Sequence, residues 1–521
     1  MELVIVGAPG TGTAGVGRAL AARHGARFID LTGDPARRPD AISGARLSDA
    51  PDDGPTIRRV IAADRIVVDT AVRARLYRGR RVVWLDLALD RIVERLRSVR
   101  REDVEIEGDF RPFTAQHLAR YLPYYAAGVR VDASDSVAAT IDRIQAVLDR
   151  PTGRGTLILR TEVHDGSIEL GEGILDDSLV HVLQRLGARR SVILATEASR
   201  ERALQAGRLI AASGIGIDVE ELPDGETVKR LDQQQLLFRR LAQLGLHRAD
   251  PLIAFGRDDL LEAATFSAAV WLRGVPLITV PVTTLGLIDT AIGGKGGIDL
   301  PDVGRNLVGA FHNPHAVILD VDLVHGESAA DRRAALAEAV KYGLIGDHRL
   351  LSLLESGEPR SGGAAWPTGK ELLELVERCA LAKRRVVADD ERDSGDVRIV
   401  LNLGHTVSHA LEAATHYRLR HGEAVAYGLR AALEIGVAMG VTPRPIGARA
   451  VRLLHRLGLG DEALDVSVDS VIEYVESDKK RRGGGLRWVL VAGDGVTVRD
   501  DVPPEVVRSA VRVAIGGSVG P

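Results

Sequence analysis

This chain of 521 residues has almost no cysteine and little lysine. Its single cysteine, Cys379, excludes an intramolecular disulfide and a zinc site built from thiolates, so any metal ion must be bound by histidine and carboxylate. Only seven of the 68 basic residues are lysine, and the first of them is Lys229. Because arginine is the usual cation here, each lysine is a candidate for a specific role.

Long apolar runs are also missing. No segment approaches the roughly 18 to 20 apolar residues of a membrane span, and the residues after Met1 contain neither a basic stretch nor a cleavable apolar core. We therefore expect a cytoplasmic protein with no membrane partner. The formal net charge of −4 gives no reason to expect nucleic acid as a partner, so an anionic ligand must meet a local basic pocket.

The chain's length predicts three or four structural units, and alternating strand and helix signals predict an α/β fold. The segment "ELVIVG" at 2–7 has the pattern of a buried strand. The Gly-rich "APGTGTAGVGRALAARHG" that follows predicts a phosphate-binding turn and a helix that ends at Gly25. The Pro/Gly/Arg-rich stretch at 150–156 predicts a domain boundary after a first domain of residues 1–150.

Two further units are predicted beyond that boundary. Between about 156 and 325, the segments "SVILATE", "PLIAFG", "VPLITVPVT" and "AVILDVDLV" alternate with helical patterns, which predicts a doubly wound parallel sheet. From 326 to 521, helical patterns dominate except for a strand signal near 485–496. We therefore expect a mostly α-helical third unit.

Four of the 14 histidines lie close together in this helical region. His405 and His409 are four residues apart, on one face of a predicted helix, and His421 follows after a loop. Upstream, Glu338 and Lys341 are three residues apart on another predicted helix. One carboxylate and two imidazoles would bind zinc and leave an open coordination position, as a catalytic site requires. From spacing alone, unrelated residues on helix surfaces explain the pattern equally well.

Seven segments in order along residues 156 to 515 resemble the 3-dehydroquinate synthase family. They are "LPDGETVK", "LIDTAIGGKGGI", "GRNLVGAFHNP", "LAEAVKYGLIGD", "RIVLNLGHTVSHALEA", "RHGEAVAYGL" and "SDKKR". The resemblance implies that Glu338, His405 and His421 bind zinc, or another divalent metal such as cobalt. It also implies that His409 contacts the substrate and that His416 is an incidental surface residue.

The resemblance further implies a reaction of the shikimate pathway to aromatic amino acids. In it, NAD transiently oxidises 3-deoxy-D-arabino-heptulosonate 7-phosphate, which loses phosphate and closes to 3-dehydroquinate. The implied substrate contacts are Asp289, Lys295, Arg305, Asn306, Lys341, Lys383, Arg398, Asn402 and one of Lys479 or Lys480. Six of the seven lysines lie at positions that match the family, five of them within these segments and Lys383 between two of them, and only Lys370 does not. This supports a pocket for an anionic sugar phosphate.

The implied NAD contacts lie in three segments. They are Asp224, Glu226 and Lys229 in "DGETVK", Gly256 and Glu262 in "LIAFGRDDLLEAATF", and Thr283, Thr284 and Asp289 in and after "VTT". The family has a glycine triplet where this chain has Gly256, Arg257 and Asp258. Because Asp258 and Asp259 add negative charge beside the expected pyrophosphate, we expect weaker NAD binding than in the family. Arg305 stands where the family has lysine. Arginine keeps the positive charge of lysine but has a differently shaped side chain.

Two other functions are compatible with these motifs. One is a different sugar phosphate cyclase, and the other is a catalytically silent regulatory or scaffold paralogue. Metal-dependent alcohol and glycerol dehydrogenases rank last, because they do not need the cluster of lysine and arginine. The resemblance also implies a homodimer, in which Arg273 reaches across to the partner.

Residues 1 to about 150 resemble shikimate kinase, a small phosphate-loop kinase. The frame GxxxxGK[ST] spans Gly7 to Ala14, but Thr13 replaces the lysine and Ala14 replaces the magnesium-binding hydroxyl. The family's Asp-x-Asp pair is reduced to Asp30 and Thr32, "DTAV" at 69–72 replaces a glycine triplet, and Arg58 matches a substrate arginine. We expect a kinase-like domain without kinase activity, serving as a scaffold, a dimerisation element or an anion sensor.

Overall fold

The computed structural model describes most of the chain. It covers residues 2–7, 11–32, 57–63, 81–87, 89–98, 129–134, 136–148, 155–160, 165–300, 304–357, 367, 369–394, 397–482, 486–493 and 495–516. The fold divides into two compact units, Met1–Ile158 and Leu159–Pro521. The predicted division of residues 156–521 into an α/β and a helical domain falls inside the second unit and stays a prediction.

The first unit contains a five-stranded parallel sheet in the order β2-β3-β1-β4-β5. Its elements are β1 (Glu2–Gly7), α1 (Thr13–His24), β2 (Arg27–Leu31), β3 (Arg59–Ala63), β4 (Arg81–Asp86), α2 (Leu89–Ser98), β5 (Val129–Asp132) and α3 (Val137–Leu148). Leu3, Val4, Ile5 and Val6 are all fully buried, as expected of a strand covered on both faces. The predicted strand at 2–7 is therefore confirmed.

The helix α1 follows the Gly-rich turn and ends as predicted. Gly25 caps it at φ 60°, in the left-handed region that favours glycine. In the part of the turn that the structure describes, Thr11 Oγ1 lies 2.9 Å from Thr13 Oγ1, and Arg95 on α2 donates to the Thr11 carbonyl at 3.1 Å. The motif positions at 8–10 and 69–72 lie outside the described residues.

A seven-stranded sheet in the order β6-β7-β14-β11-β10-β8-β9 organises the first half of the second unit. Its strands are β6 (Gly155–Arg160), which crosses the boundary between the two units, and β7 (Asp165–Gly171), β8 (Arg190–Thr196), β9 (Gly216–Leu222), β10 (Leu252–Gly256), β11 (Leu277–Pro281) and β14 (Ala316–Asp320). From β7 to β9 every neighbouring pair is parallel, which confirms the predicted parallel sheet. Two antiparallel hairpins, β12–β13 (Lys295–Leu300, Gly304–Phe311) and β15–β16 (Trp488–Val491, Val496–Arg499), complete the described strands.

Helices cover this sheet and then form a separate cluster. Those associated with the sheet are α4 (Leu175–Arg185), α5 (Glu197–Ala212), α6 (Leu231–Leu244), α7 (Asp258–Val270) and α8 (Thr284–Ile288). The later ones are α9 (Ala329–Ile345), α10 (His348–Ser356), α11 (Gly369–Asp389), α12 (His405–Ala414), α13 (His421–Ala438), α14 (Arg444–Arg456), α15 (Val468–Arg482) and α16 (Pro504–Ile515). None of the helices in the described ranges is long and apolar enough to span a bilayer.

Glycines let three of the later helices approach closely. A Cβ on Gly428 of α13 would lie 2.1 Å from the carbonyl oxygen of Gly404, which precedes α12 at φ 80°. A Cβ on Gly422 would lie 2.0 Å from the Ala334 carbonyl of α9. Any side chain at these positions would push the helices apart. The backbone contacts therefore bring α9, α12 and the start of α13 to one place.

Candidate active site

Three potential metal ligands converge where these helices meet. Glu338 lies in the middle of α9, and His405 and His421 are the first residues of α12 and α13. Glu338 Oε1 lies 3.5 Å from His405 Nε2 and 3.4 Å from His421 Nε2, and the three ligand atoms lie within 4.8 Å of one another. The structure thus brings together the three residues that the sequence predicts as metal ligands.

The geometry of this cluster fits a zinc ion. Tetrahedral zinc with bonds of about 2.1 Å separates its ligand atoms by about 3.4 Å, which matches both distances from the Glu338 oxygen. Glu338 is fully buried, and neither of its oxygens accepts a hydrogen bond of good geometry from the described residues. A buried carboxylate without such donors needs a cation. Lys341, in an ion pair with Glu338 Oε2, supplies one, and a metal ion at Oε1 would supply the second.

His421 is oriented by a second carboxylate that the sequence analysis missed. Its Nδ1 lies 3.0 Å from Glu412 Oε1 on α12, which leaves Nε2 facing Glu338. Burial would lower the pKa of His421, but its contacts with Glu338 and Glu412 raise it to about 10. For His405, burial and the charge of Lys341 hold the pKa well below its usual value. At neutral pH, a metal must therefore displace a proton from His421 but not from His405.

His409 lies beside the cluster without joining it. Its ring centroid is 5.4 Å from that of His405 and 6.5 Å from that of His421. This is the arrangement expected from the four-residue spacing on α12. Its role as a substrate contact stays a prediction. His416 is exposed in the turn after α12.

Two lysines and a carboxylate form a buried network next to the metal ligands. Lys383 Nζ lies 2.9 Å from Asp289 Oδ2 and donates to the Asp289 carbonyl at 2.8 Å, while the Tyr342 hydroxyl donates to Oδ1. Burial would raise the pKa of Asp289, but Lys383, Lys341 and Tyr342 lower it overall. Burial lowers the pKa of Lys383 in spite of this ion pair. The pocket therefore holds fixed charges of both signs away from water.

Arg398 is another buried cation of this region, with 2% of its surface exposed. It donates to the Glu391 carbonyl at 2.7 Å and to the Gly293 carbonyl, while its Nε has no hydrogen-bond partner among the described residues. Burial lowers the pKa of Arg398. A guanidinium paired mainly with carbonyls keeps its charge available to an anionic ligand. Asn402 ends the short 3₁₀ helix that begins at Arg398.

Lys295 is half exposed at the start of β12, where its Nζ lies 2.8 Å from Asp393 Oδ2. In the neighbouring strand β13, Asn306 adopts φ 52° and its backbone N–H donates to Asp299 at 2.8 Å. Lys479 and Lys480 belong to α15, but their side chains lie outside the described residues. Their predicted contact with the substrate therefore stays a prediction.

The segment that begins at Asp224 surrounds a buried lysine. Lys229 Nζ lies 2.6 Å from Glu262, 3.5 Å from Glu226 and 3.7 Å from Asp299. Burial would lower the pKa of Lys229, but these carboxylates raise it, so the ammonium stays charged. Asp224 is exposed at the start of the 3₁₀ helix Gly225–Lys229. Lys229, itself a predicted cofactor residue, thus forms ion pairs with two others, Glu226 and Glu262.

The altered turn after β10 places its first carboxylate inward. Asp258 accepts a hydrogen bond from Thr283 Oγ1 at 2.9 Å, and burial raises its pKa. The next residue, Thr284, donates from its backbone and its hydroxyl to Glu327, whose pKa burial also raises. Asp258 therefore faces Thr283 and not the solvent side of the turn. The predicted weakening of NAD binding stays a prediction. Asp259 is the remaining carboxylate that could repel the pyrophosphate of NAD.

Comparisons with known proteins agree on one family. Models of the 3-dehydroquinate synthase N-terminal and C-terminal regions match residues 219–334 and 335–481. The 3-dehydroquinate synthase of Mycolicibacterium vanbaalenii is 37% identical over 349 residues, which cover 67% of this chain and 95% of the relative. That of Acaryochloris marina is 34% identical over 354 residues, covering 67% and 94%.

Solved structures with the same fold include two synthases. A 2-deoxy-scyllo-inosose synthase complexed with carbaglucose-6-phosphate, NAD+ and Co2+ has a TM-score of 0.60 at 23% identity, covering 68% of this chain and 99% of that one. The 2-epi-5-epi-valiolone synthase of Streptomyces hygroscopicus subsp. jinggangensis, with NAD+ and Zn2+ bound, has a TM-score of 0.61 at 21% identity, covering 68% and 98%. At this identity the likeness shows the fold alone.

Proposed function

The chain belongs to the 3-dehydroquinate synthase family, and from this premise we propose that it converts 3-deoxy-D-arabino-heptulosonate 7-phosphate to 3-dehydroquinate and phosphate. One observation carries the proposal. Glu338, His405 and His421 converge with zinc-like spacing beside the buried cations Lys341 and Lys383. A metal next to fixed ammonium groups suits a substrate that combines hydroxyls with a carboxylate and a phosphate. The relatives do not favour another cyclase or a silent paralogue.

Zinc or cobalt bound by these three residues would supply the Lewis acidity that makes a substrate hydroxyl acidic. The protein's own groups bind and orient the substrate around that position. Lys383 and Arg398 neutralise its anionic ends from buried positions. Asp289, kept ionised by Lys383, fixes the lysine through two contacts. His409 and Asn402 complete the pocket as hydrogen-bonding groups.

NAD would supply the hydride acceptor, bound at the carboxyl ends of β10 and β11. This end of a parallel sheet is where dinucleotides bind, and the N-terminus of α7 offers backbone N–H groups to a pyrophosphate. Inward burial of Asp258 supports this proposal, because it removes one of the two carboxylates from the solvent side of the turn. Lys229, Glu226 and Glu262 form the adjoining polar surface.

For the first unit we propose a kinase-like fold without phosphoryl transfer. The parallel sheet order and the Gly-rich sequence before α1 support the fold. Thr13 and Ala14, at the first two positions of α1, provide neither the lysine nor the magnesium-binding hydroxyl of the motif. Incubation of the full chain with shikimate, ATP and magnesium should give no shikimate 3-phosphate. Phosphorylation at an ordinary kinase rate would contradict the proposal.

A homodimer is proposed from the exposed strand β13. Leu307, Val308 and Phe311 expose 43%, 37% and 44% of their surface on that strand. Three large apolar residues on one exposed strand are typical of an interaction surface. Leu272 and Arg273 adopt left-handed φ values of 49° and 65° in the turn after α7. Such backbone strain is typical of functional positions, and Arg273 is the residue expected to reach the partner.

The test is anaerobic incubation of zinc-loaded protein with the heptulosonate phosphate, with and without added NAD. Phosphate and 3-dehydroquinate should appear together, in equal amounts. Glu338→Gln removes a ligand oxygen charge and should abolish both products, whereas Glu434→Gln on α13 should leave them unchanged. Absence of both products from the wild type, at saturating NAD and with zinc bound stoichiometrically, would disprove the proposed function.

A further inference from the structure

Arg305 connects two parts of the site that are distant in sequence. From β13, its Nη1 lies 3.0 Å from Glu226 Oε1, in the segment that also contains Lys229. On its other side, the Arg305 guanidinium carbon lies 3.8 Å from the centroid of the Tyr417 ring, in the turn between α12 and α13. Among the described residues, Glu226 engages one of the five N–H donors of Arg305. The others remain available to a ligand.

The turn that carries Tyr417 is unusual for its residue types. His416 and Tyr417 both adopt left-handed φ values, 51° and 56°, in a position where glycine would be free of strain. A left-handed φ is unfavourable for any residue that carries a side chain. The Tyr417 backbone N–H donates to the Glu412 carbonyl at 2.7 Å, and the Glu412 side chain holds His421. The turn therefore ties the backbone of Tyr417 to Glu412, whose side chain contacts the metal ligand His421.

We propose that Tyr417 is a positioning residue that holds the Arg305 guanidinium in place for a phosphate group of a ligand bound at this site. A planar guanidinium can lie flat on an aromatic ring while its edge donates paired hydrogen bonds to phosphate oxygens. A lysine ammonium offers neither the flat face nor the fork. The identity of the phosphate ligand rests on the proposed function. The contacts of Arg305 with Glu226 and Tyr417 do not depend on it.

The proposal is tested by binding, with isothermal titration of zinc-loaded protein. NAD and the heptulosonate phosphate are titrated separately, so that no turnover takes place. Tyr417→Ala should weaken binding of a phosphate ligand about two- to fivefold, the value of a partly exposed stack, and Tyr417→Phe should bind like the wild type. Arg305→Ala should weaken it about tenfold or more. The double variant should bind no more weakly than Arg305→Ala, because Tyr417 acts only through Arg305.

Tyr474→Ala is the matched control, since Tyr474 is exposed to 40% and Tyr417 to 43%. It should leave both dissociation constants unchanged, and thermal unfolding shows whether each variant is folded. An effect on NAD alone assigns the contact to the cofactor, and an effect on the heptulosonate phosphate alone assigns it to the substrate. Additive losses in the double variant, or unchanged binding of both ligands, would overturn the proposal. If the protein shows no turnover but the Tyr417 and Arg305 substitutions still affect ligand binding non-additively, only the proposed function is contradicted.

Discussion

Removing Glu412 should weaken zinc binding although Glu412 is not a ligand. Its carboxylate accepts a hydrogen bond from His421 Nδ1 at 3.0 Å and thereby presents Nε2 to the metal. Loss of such a partner typically lowers metal affinity 10- to 100-fold. The His421 side chain is 35% exposed, so water can take the place of the carboxylate. We therefore expect a loss of about 10- to 30-fold for Glu412→Ala, near the lower end of that range.

The size of this loss should depend on pH. Contacts with Glu338 and Glu412 raise the pKa of His421 to about 10, so below pH 10 zinc competes with a proton. Removing Glu412 lowers that pKa and eases the competition, which offsets part of the loss at pH 7. The ratio of wild-type to variant affinity should therefore grow between pH 7 and pH 9.5. Glu412→Gln, whose carbonyl can still accept the hydrogen bond, should lose less than Glu412→Ala.

The assay is a zinc titration against a chelator of known affinity, repeated at several pH values. Glu434→Gln, a carboxylate change further along α13, is the control and should match the wild type. Two results would refute the reasoning. One is a Glu412→Ala affinity within twofold of the wild type at pH 9.5. The other is an affinity ratio that falls as the pH rises.

Three further predictions concern other parts of the second unit. Burial raises the pKa of Asp258 above the ordinary value that this carboxyl has in the unfolded chain, so stability is lost as the pH rises from that ordinary value through the raised one. The melting temperature of Asp258→Asn should therefore exceed that of the wild type by a margin that grows from pH 4 to pH 8. Asp259→Asn is the control, and a margin that stays constant with pH would contradict this prediction. Gly428→Ala should lower the free energy of unfolding, measured in urea, by about 3 kcal/mol, because its Cβ would lie 2.1 Å from the Gly404 carbonyl oxygen. Gly326→Ala is the control and should be nearly neutral, because a Cβ at Gly326 has no atom within 4 Å. Equal losses in the two variants would show that the close approach of the helices is not responsible. Light scattering should give twice the chain mass of 55.8 kDa for the wild type and the mass of a single chain for Val308→Asp. Val513→Asp changes another exposed valine, on α16, and should stay dimeric. A monomeric wild type would exclude the dimer.

Much of the α/β architecture could be predicted from continuous apolar runs. β8, β10, β11 and β14 lie where such runs occur, because strands covered on both faces bury every side chain. The strand β9 and the hairpin β12–β13 could not be predicted in this way. Their residues are charged or glycine-rich and partly exposed, so they lack both an apolar run and a clear alternation.

The site was predictable only in part, for a different reason. Spacing on α9 and α12 indicates which residues share a helix face, but spacing cannot show that the two faces meet. The family resemblance supplied that step for Glu338, His405 and His421. Glu412 follows His409 by three residues, yet its partner His421 lies on the next helix, so the pair is visible only in three dimensions. The inward orientation of Asp258 likewise depends on Thr283, 25 residues later.

Because the metal ligands come from three separate helices, zinc binding should affect how stable and how abundant the protein is in the cell. An unfolded chain offers zinc no ready-made chelate, because Glu338 and His405 are far apart in sequence and come together only through helix packing. Zinc then binds the native state alone, and its binding adds directly to native stability, by about 2.7 kcal/mol at a free concentration 100 times the dissociation constant. Zinc scarcity would therefore enlarge the unfolded population open to proteases, and the supply of the metal would set the amount of this protein as well as its activity.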